Sequence, residues 1–225
     1  AVECHFPYAV SSCDVRAALD ETGMDMIGLN TFPGNPELGL RGLCAIPGRE
    51  GEARQAINQA RDYAVAISCK NIHVMAGITS HENAHETFAD NLRYACNQVK
   101  DEKITIVIEP LNTRDNPGYF LTSTVQAKQL IEDVGAKNLK IMFDCYHVEI
   151  MEGNILERLE ATLDDVGHIQ FASVPGRNEP DTGALDYREV FGYLRDRGYH
   201  WPLGAEYIPL GSTEAGLGWM TGLMD

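Results

Sequence analysis

Four oxygen-bearing side chains stand where otherwise apolar runs end. Glu109 follows ITIVI, Asp144 follows KIMF, Gln170 follows HI and Glu206 follows LGA. Taken singly, each acid reads as a cap for the next helix or a partner for an arginine. Taken together, they place four oxygen donors at matching positions of four successive runs. Carboxylates forced into one cavity repel, and burying them unpaired is costly. A divalent cation resolves both problems. An all-oxygen set favours Mg²⁺ or Mn²⁺ over Zn²⁺, which prefers His and Cys. Glu109, Asp144, Gln170 and Glu206 are therefore the candidate metal ligands.

Other side chains fall beside them. His147 lies three residues past Asp144 and is a candidate for a substrate hydroxyl or oxyanion. His73, in NIHVMAG, is either a pocket or a core residue. Arg177 in VPGRNEP and Arg49 in IPGRE lie in Pro-Gly turns, where a guanidinium can clamp a carboxylate through two hydrogen bonds. Arg49 also reads as the start of a helix. Cys145 precedes His147 by two residues, but a strand would not give the pair a nucleophile–base geometry. There is no GxSxG elbow. Glu179 and Asp181 read as a solvated turn, while Glu214 and Trp219 read as one wall of the pocket or, for Trp219, as packing.

These residues need elements to hold them. The apolar runs are 2–5, 26–30, 71–77, 105–111, 139–147, 168–173 and 203–207. Each is short and apolar on successive positions, as in a strand buried on both faces of a parallel sheet. Helical periods lie between them. Ala53, Ala56, Ile57, Ala60, Ala64 and Ile67 share one face, as do Phe88, Leu92, Ala95 and Val99. So do Tyr187, Val190, Phe191 and Leu194. Ala127, Leu130, Ile131 and Val134 follow a capping box Ser123-x-x-Gln126 and stop at Gly135. From residue 71 the strands recur every ~30–35 residues, the length of a βα unit. Such units close into a (β/α)₈ barrel or wind into an open sheet, and the strand ends of a barrel face its active-site mouth. The absence of GxGxxG and GxxxxGK[ST] weighs against the nucleotide-binding open sheets. Residues 31–48 carry three prolines, four glycines and no period, and are expected to form a lid.

Composition narrows the partners. The 225 residues are expected to form a single domain (1–225), and their net charge of −15 argues against a nucleic-acid backbone or an anionic membrane. No run of ~18 apolar residues or signal peptide is evident. The six cysteines show no CxxC pair and are expected as free thiols in a cytoplasmic protein. A homo-oligomer is compatible with this surface.

Longer motifs extend the reading. The segments FPY (6–8), CAIPGRE (44–50), HVMAG (73–77), IEPLN (108–112), FDCYH (143–147), MEGN (151–154), HIQFASVPGRNEPDTG (168–183) and EYIP…GSTEAGLGW (206–219) resemble the hydroxypyruvate isomerase family, a branch of the xylose-isomerase-like barrels. The resemblance runs from the first residue to the last. It implies a (β/α)₈ TIM barrel and one divalent metal on Glu109, Asp144, Gln170 and Glu206. It also implies that Glu109 and Glu206 move the proton while His147 and Arg177 bind substrate oxygens. The implied reaction is hydroxypyruvate ⇌ tartronate semialdehyde through an enediolate. A 2-oxo-tetronate isomerase and a ketose 3-epimerase share this chemistry. An AP endonuclease fits the acidic charge and the scarcity of metal-binding histidines poorly. The family's first strand and helix are absent before Val2, which predicts an N-terminally truncated α/β barrel of about seven strands with a seam beside VECH and LGAEY. That departure also raises the reading of an inactive relative serving as a binding module.

Overall fold

A computed structural model describes residues 1–223. The seven strands are β1 (Val2–Glu3), β2 (Met26–Asn30), β3 (Asn71–His73), β4 (Thr105–Ile108), β5 (Leu139–Asp144), β6 (Val166–Phe171) and β7 (Leu203–Ala205). They form one sheet in sequence order, and every neighbouring pair is parallel. The sheet curls into a nearly closed barrel. Among the described residues β1 pairs only with β2 and β7 only with β6, so a seam separates them.

Helices follow the strands: α1 (Ser12–Thr22), α2 (Glu50–Ile67), α3 (Ala84–Gln98), α4 (Thr124–Val134), α5 (Cys145–Met151), α6 (Ile155–Thr162), α7 (Tyr187–Asp196), α8 (Thr213–Gly216) and α9 (Trp219–Leu223). The helical stripe 53–67 is buried as its period requires. Its four alanines let the helix backbone sit close to the sheet, where Ile57 and Ile67 supply the bulk. In α4 the Ser123 hydroxyl accepts from the Gln126 amide N–H at 3.2 Å. Gln126 reaches back to the N–H of Thr122 at 3.1 Å, one residue before the cap. The helix stops at Gly135, whose φ of 67° a Cβ would oppose.

Two expectations change here. The run 139–147 does not stay extended, because Asp144 caps a helix: its Oδ1 accepts from the Tyr146 N–H at 2.8 Å. Cys145 and His147 therefore lie on α5, not on a strand. Residues 31–48 are not a free lid. Leu43, Cys44 and Ala45 are buried, and Ala45 N–H donates to the Ala76 carbonyl at 2.7 Å. Gly42 forms an isolated bridge with Ala76. Its φ of 124° and the Met75 carbonyl 2.6 Å from any added Cβ require glycine there. The cysteines are free thiols. Among the described residues no helix is long and apolar enough to cross a membrane.

Candidate active site

Parallel register gathers the polar residues at one end of the barrel. Asp144 closes β5 and stands opposite Gln170 on β6, so the two share a face. Glu109 follows β4 directly and Glu206 follows β7. Glu109, Asp144 and His147 each offer a ligand atom within 4.8 Å of the others, and all three are buried. Glu109 Oε1, Asp144 Oδ2 and Gln170 Oε1 are buried with no hydrogen-bond partner. Buried oxygens are rarely left unsatisfied. Three of them at the ends of the neighbouring strands β4, β5 and β6 make a donor set whose chemistry fits a hard divalent cation.

The four candidate ligands do not share one environment. Burial raises Glu109 well above the usual carboxylate range, and the charges of Glu206 and Asp144 add to the rise. Burial, then Glu206, raises Asp144 to about 7. Burial would raise Glu206 too, but a hydrogen bond from His5 and the charge of Arg177 carry it below its ordinary value. His5 Nε2 lies 3.2 Å from Glu206 Oε1, and Arg177 Nη2 lies 3.0 Å from Oε2.

His147 is fixed as a donor. Its Nδ1 accepts from the backbone N–H of Asn112 at 3.1 Å. The neutral ring therefore carries its proton on Nε2, which faces Asp144 Oδ2 at 3.7 Å and Glu109 Oε1 at 3.9 Å. A metal bond through Nε2 would need that proton on Nδ1, against the Asn112 N–H. Burial, aided by Arg177, lowers His147 to about 4 and keeps it neutral.

Arg177 is aimed into the site by its turn. Its φ is 56°, its N–H donates to the Ser173 carbonyl at 2.8 Å, and its own carbonyl accepts from Ile208 N–H at 2.7 Å. The guanidinium stacks over Tyr146, 5.0 Å from the ring centre, and lies 3.5 Å from Asp144 Oδ2. Tyr146 in turn donates to Asp115 at 2.6 Å. His73 joins from β3, its Nδ1 3.6 Å from Glu109 Oε2, and burial lowers it to about 3.

The structure does not bring every sequence candidate here. Arg49 stands at the start of α2 and pairs with Glu52 through Nε at 2.9 Å and Nη2 at 2.7 Å. Its helix-start reading describes it. Glu179 is not solvated: it is buried and accepts from the Leu210 N–H at 3.1 Å. Trp219 is core packing, edge-on to Phe171 at 5.6 Å, and Glu214 is exposed. Sequence reasoning missed His5 and Glu3, although both are polar residues inside the run VECH. The rule that found Glu109 would have found them.

The chain matches the xylose isomerase-like TIM barrel family over residues 1–223. It belongs to that family. It is 42% identical to a 2-oxo-tetronate isomerase of Cupriavidus necator over 98% of this chain and 86% of the relative. It is 40% identical to a hydroxypyruvate isomerase of Escherichia coli, over 97% of this chain and 86% of that one. Among solved structures it is similar to one described as AP endonuclease, family 2, from Brucella melitensis, with TM-score 0.96, 39% identity and coverage of 98% of this chain and 87% of that chain. A 3-keto-D-glucoside 4-epimerase of Escherichia coli shares the fold at TM-score 0.80 and 21% identity, over 94% and 84% of the two chains.

Proposed function

We propose that this family member interconverts hydroxypyruvate and tartronate semialdehyde with a divalent cation, Mg²⁺ or Mn²⁺, held by Glu109, Asp144, Gln170 and Glu206. Relatives named as isomerases, 35–42% identical over nearly the whole chain, make it an isomerase. One observation carries the finer reading: three buried oxygens without a hydrogen-bond partner, on Glu109, Asp144 and Gln170, at adjacent strand ends. When bound, the cation supplies charge neutralisation and Lewis-acid polarisation of a substrate carbonyl.

The rest is work for the chain's own side chains. Arg177 holds the substrate carboxylate, its planar fork fixed over Tyr146. His147 donates its Nε2 proton to a substrate oxygen. Glu206, kept ionised by His5 and Arg177, takes the proton from C3, the hydroxyl-bearing carbon. The electron pair forms the C2–C3 double bond of an enediolate. Glu206 and Glu109 shuttle that proton to C2, so both carboxylates end the cycle ionised, as they began it. The hydroxyl proton passes from O3 to O2, leaving an aldehyde at C3. No net oxidation occurs and no redox cofactor is needed. Six free thiols and the −15 charge support a cytoplasmic setting with a small 2-oxo acid, not a nucleic acid, as the partner.

The Cupriavidus relative favours a second reading, in which a 2-oxo-tetronate is the better substrate. Turnover of both acids with and without Mg²⁺ or Mn²⁺, beside Glu109→Gln and Glu206→Gln, tests the two together. Metal-dependent turnover of hydroxypyruvate, lost in both variants, is the expected result. A kcat/KM at least about tenfold higher for the tetronate would transfer the assignment to it. Inertness towards both acids would sink the reaction class.

A further inference from the structure

We propose that Glu3 is a positioning residue for Gln170: its carboxylate orients the Gln170 amide so that Oε1 is the end left free for the cation. The inference rests on the reading of Gln170 as a ligand. A glutamine side chain has two ends of nearly equal shape, and only the oxygen can bind a cation. Unless something distinguishes them, the amide can turn its NH₂ inward, which repels a metal.

Glu3 supplies the distinction. Its Oε2 accepts from Gln170 Nε2 at 2.8 Å, across 167 residues of sequence. An ionised carboxylate only accepts, so it selects the NH₂ end. Gln170 Oε1 is then left buried with no partner. Glu3 is itself held from the other side, where His168 Nε2 donates to Oε1 at 2.9 Å. His168 and Gln170 are two residues apart on β6, so they share its inner face, and each is 2% exposed.

The neighbouring strands make room for this crossing. A Cβ built on Gly204 of β7 would collide with Glu3 Oε1 and sit 3.1 Å from Gln170 Cγ. A Cβ on Gly28 of β2 would touch Oε2 at 3.6 Å. Gly204 has no positive φ, so space is the reason for glycine there. Hydrogen-bonded partners behind a metal ligand orient it, and losing one costs 10–100-fold in metal affinity or activity.

The test is Mn²⁺ affinity, read from the electron paramagnetic resonance of free Mn²⁺, together with the melting temperature of the metal-free protein. Glu3→Ala removes the acceptor and is expected to weaken Mn²⁺ binding by about 10–100-fold. Glu3→Gln keeps one oxygen that can accept from Gln170, and is expected to stay within about threefold of the parent. Gly204→Ala leaves Glu3 in place but displaces its carboxylate, and should weaken binding as Glu3→Ala does. It carries the test if Glu3→Ala does not fold. Gln170→Ala is the control for the underlying reading. If it binds Mn²⁺ as the parent does, Gln170 is no ligand and the proposal falls with that reading. If Gln170→Ala loses affinity while Glu3→Ala, or Gly204→Ala in its place, keeps it and changes only the melting temperature, Gln170 is a ligand that Glu3 does not orient. Equal losses in Glu3→Gln and Glu3→Ala would show that charge, not amide orientation, is what Glu3 supplies, and would overturn the proposal as well.

Discussion

The closed side of the barrel and its seam treat the same residue type in opposite ways. On β4 to β6, Ile106, Ile108, Ile141, Phe143 and Ile169 have no exposed surface. At the seam, Val2 is 39% exposed and Ala205 lies open on the edge of β7. The acids inherit this difference. Glu109 and Asp144 emerge from the closed side, are buried, and are pushed towards the protonated form. The Glu206 side chain beside the seam is 27% exposed, has His5 and Arg177 as partners, and is held ionised. Three like carboxylates thus become two that burial holds towards the protonated form and one that its counter-charges hold ionised. Burial decides which is which, because only a desolvated carboxylate pays the full penalty for its charge.

The largest test of that contrast is a pair of isosteric substitutions. Glu109→Gln should lower kcat/KM by about 1,000-fold and Glu206→Gln by about 100-fold, within the usual span for a lost proton-transfer group. Steady-state kinetics at saturating Mn²⁺ reads the ratio, and equal losses would erase the distinction. Packing offers a second comparison. Phe143→Ala should cost about 3–5 kcal/mol of stability, the usual toll for a fully buried aromatic. Val2→Ala at the seam should cost less than about 0.5 kcal/mol, as surface changes do. Denaturant melts measure both.

Protons give the third. Asp144, near 7 without a cation, must lose its proton to bind one. Mn²⁺ affinity should therefore fall about tenfold per unit as the pH drops below about 7. The same shift has a stability sign. The folded chain keeps this proton to a higher pH than the unfolded chain, so the contribution is full at low pH and is lost as pH rises through about 7. Melts of the metal-free protein should show it, and Asp144→Asn should flatten it. A smaller effect belongs to the seam. In His5→Ala, Glu206 loses the hydrogen bond that lowers it, so the acid limb of the kcat/KM profile should move up by up to about one unit. The smallest is Arg49→Ala. Its partner is Glu52, away from the carboxylate cluster, and exposed pairs of this kind contribute little, so KM should stay within about twofold.

Much of this molecule is determined by local sequence. The run TIVI is β-branched throughout and IMF is apolar on successive positions, as inner strands are, and the 53–67 period is that of an amphipathic helix. Strand ends then bring Glu109, Asp144, Gln170 and Glu206 to one mouth, because parallel units repeat in register. Three outcomes needed the tertiary structure. Arg49 and Arg177 sit in similar Pro-Gly turns, yet only Arg177 meets the acids, since its turn packs beside Tyr146 and the strand end of β7. The tautomer of His147 depends on a backbone N–H from another loop. Glu3 reaches Gln170 only because the curl of the sheet lays β1 near β6 and two glycines leave the gap. Strands and helices follow from neighbours in sequence, whereas the state of a charge follows from neighbours in space that are distant in sequence, as His5 is from Glu206.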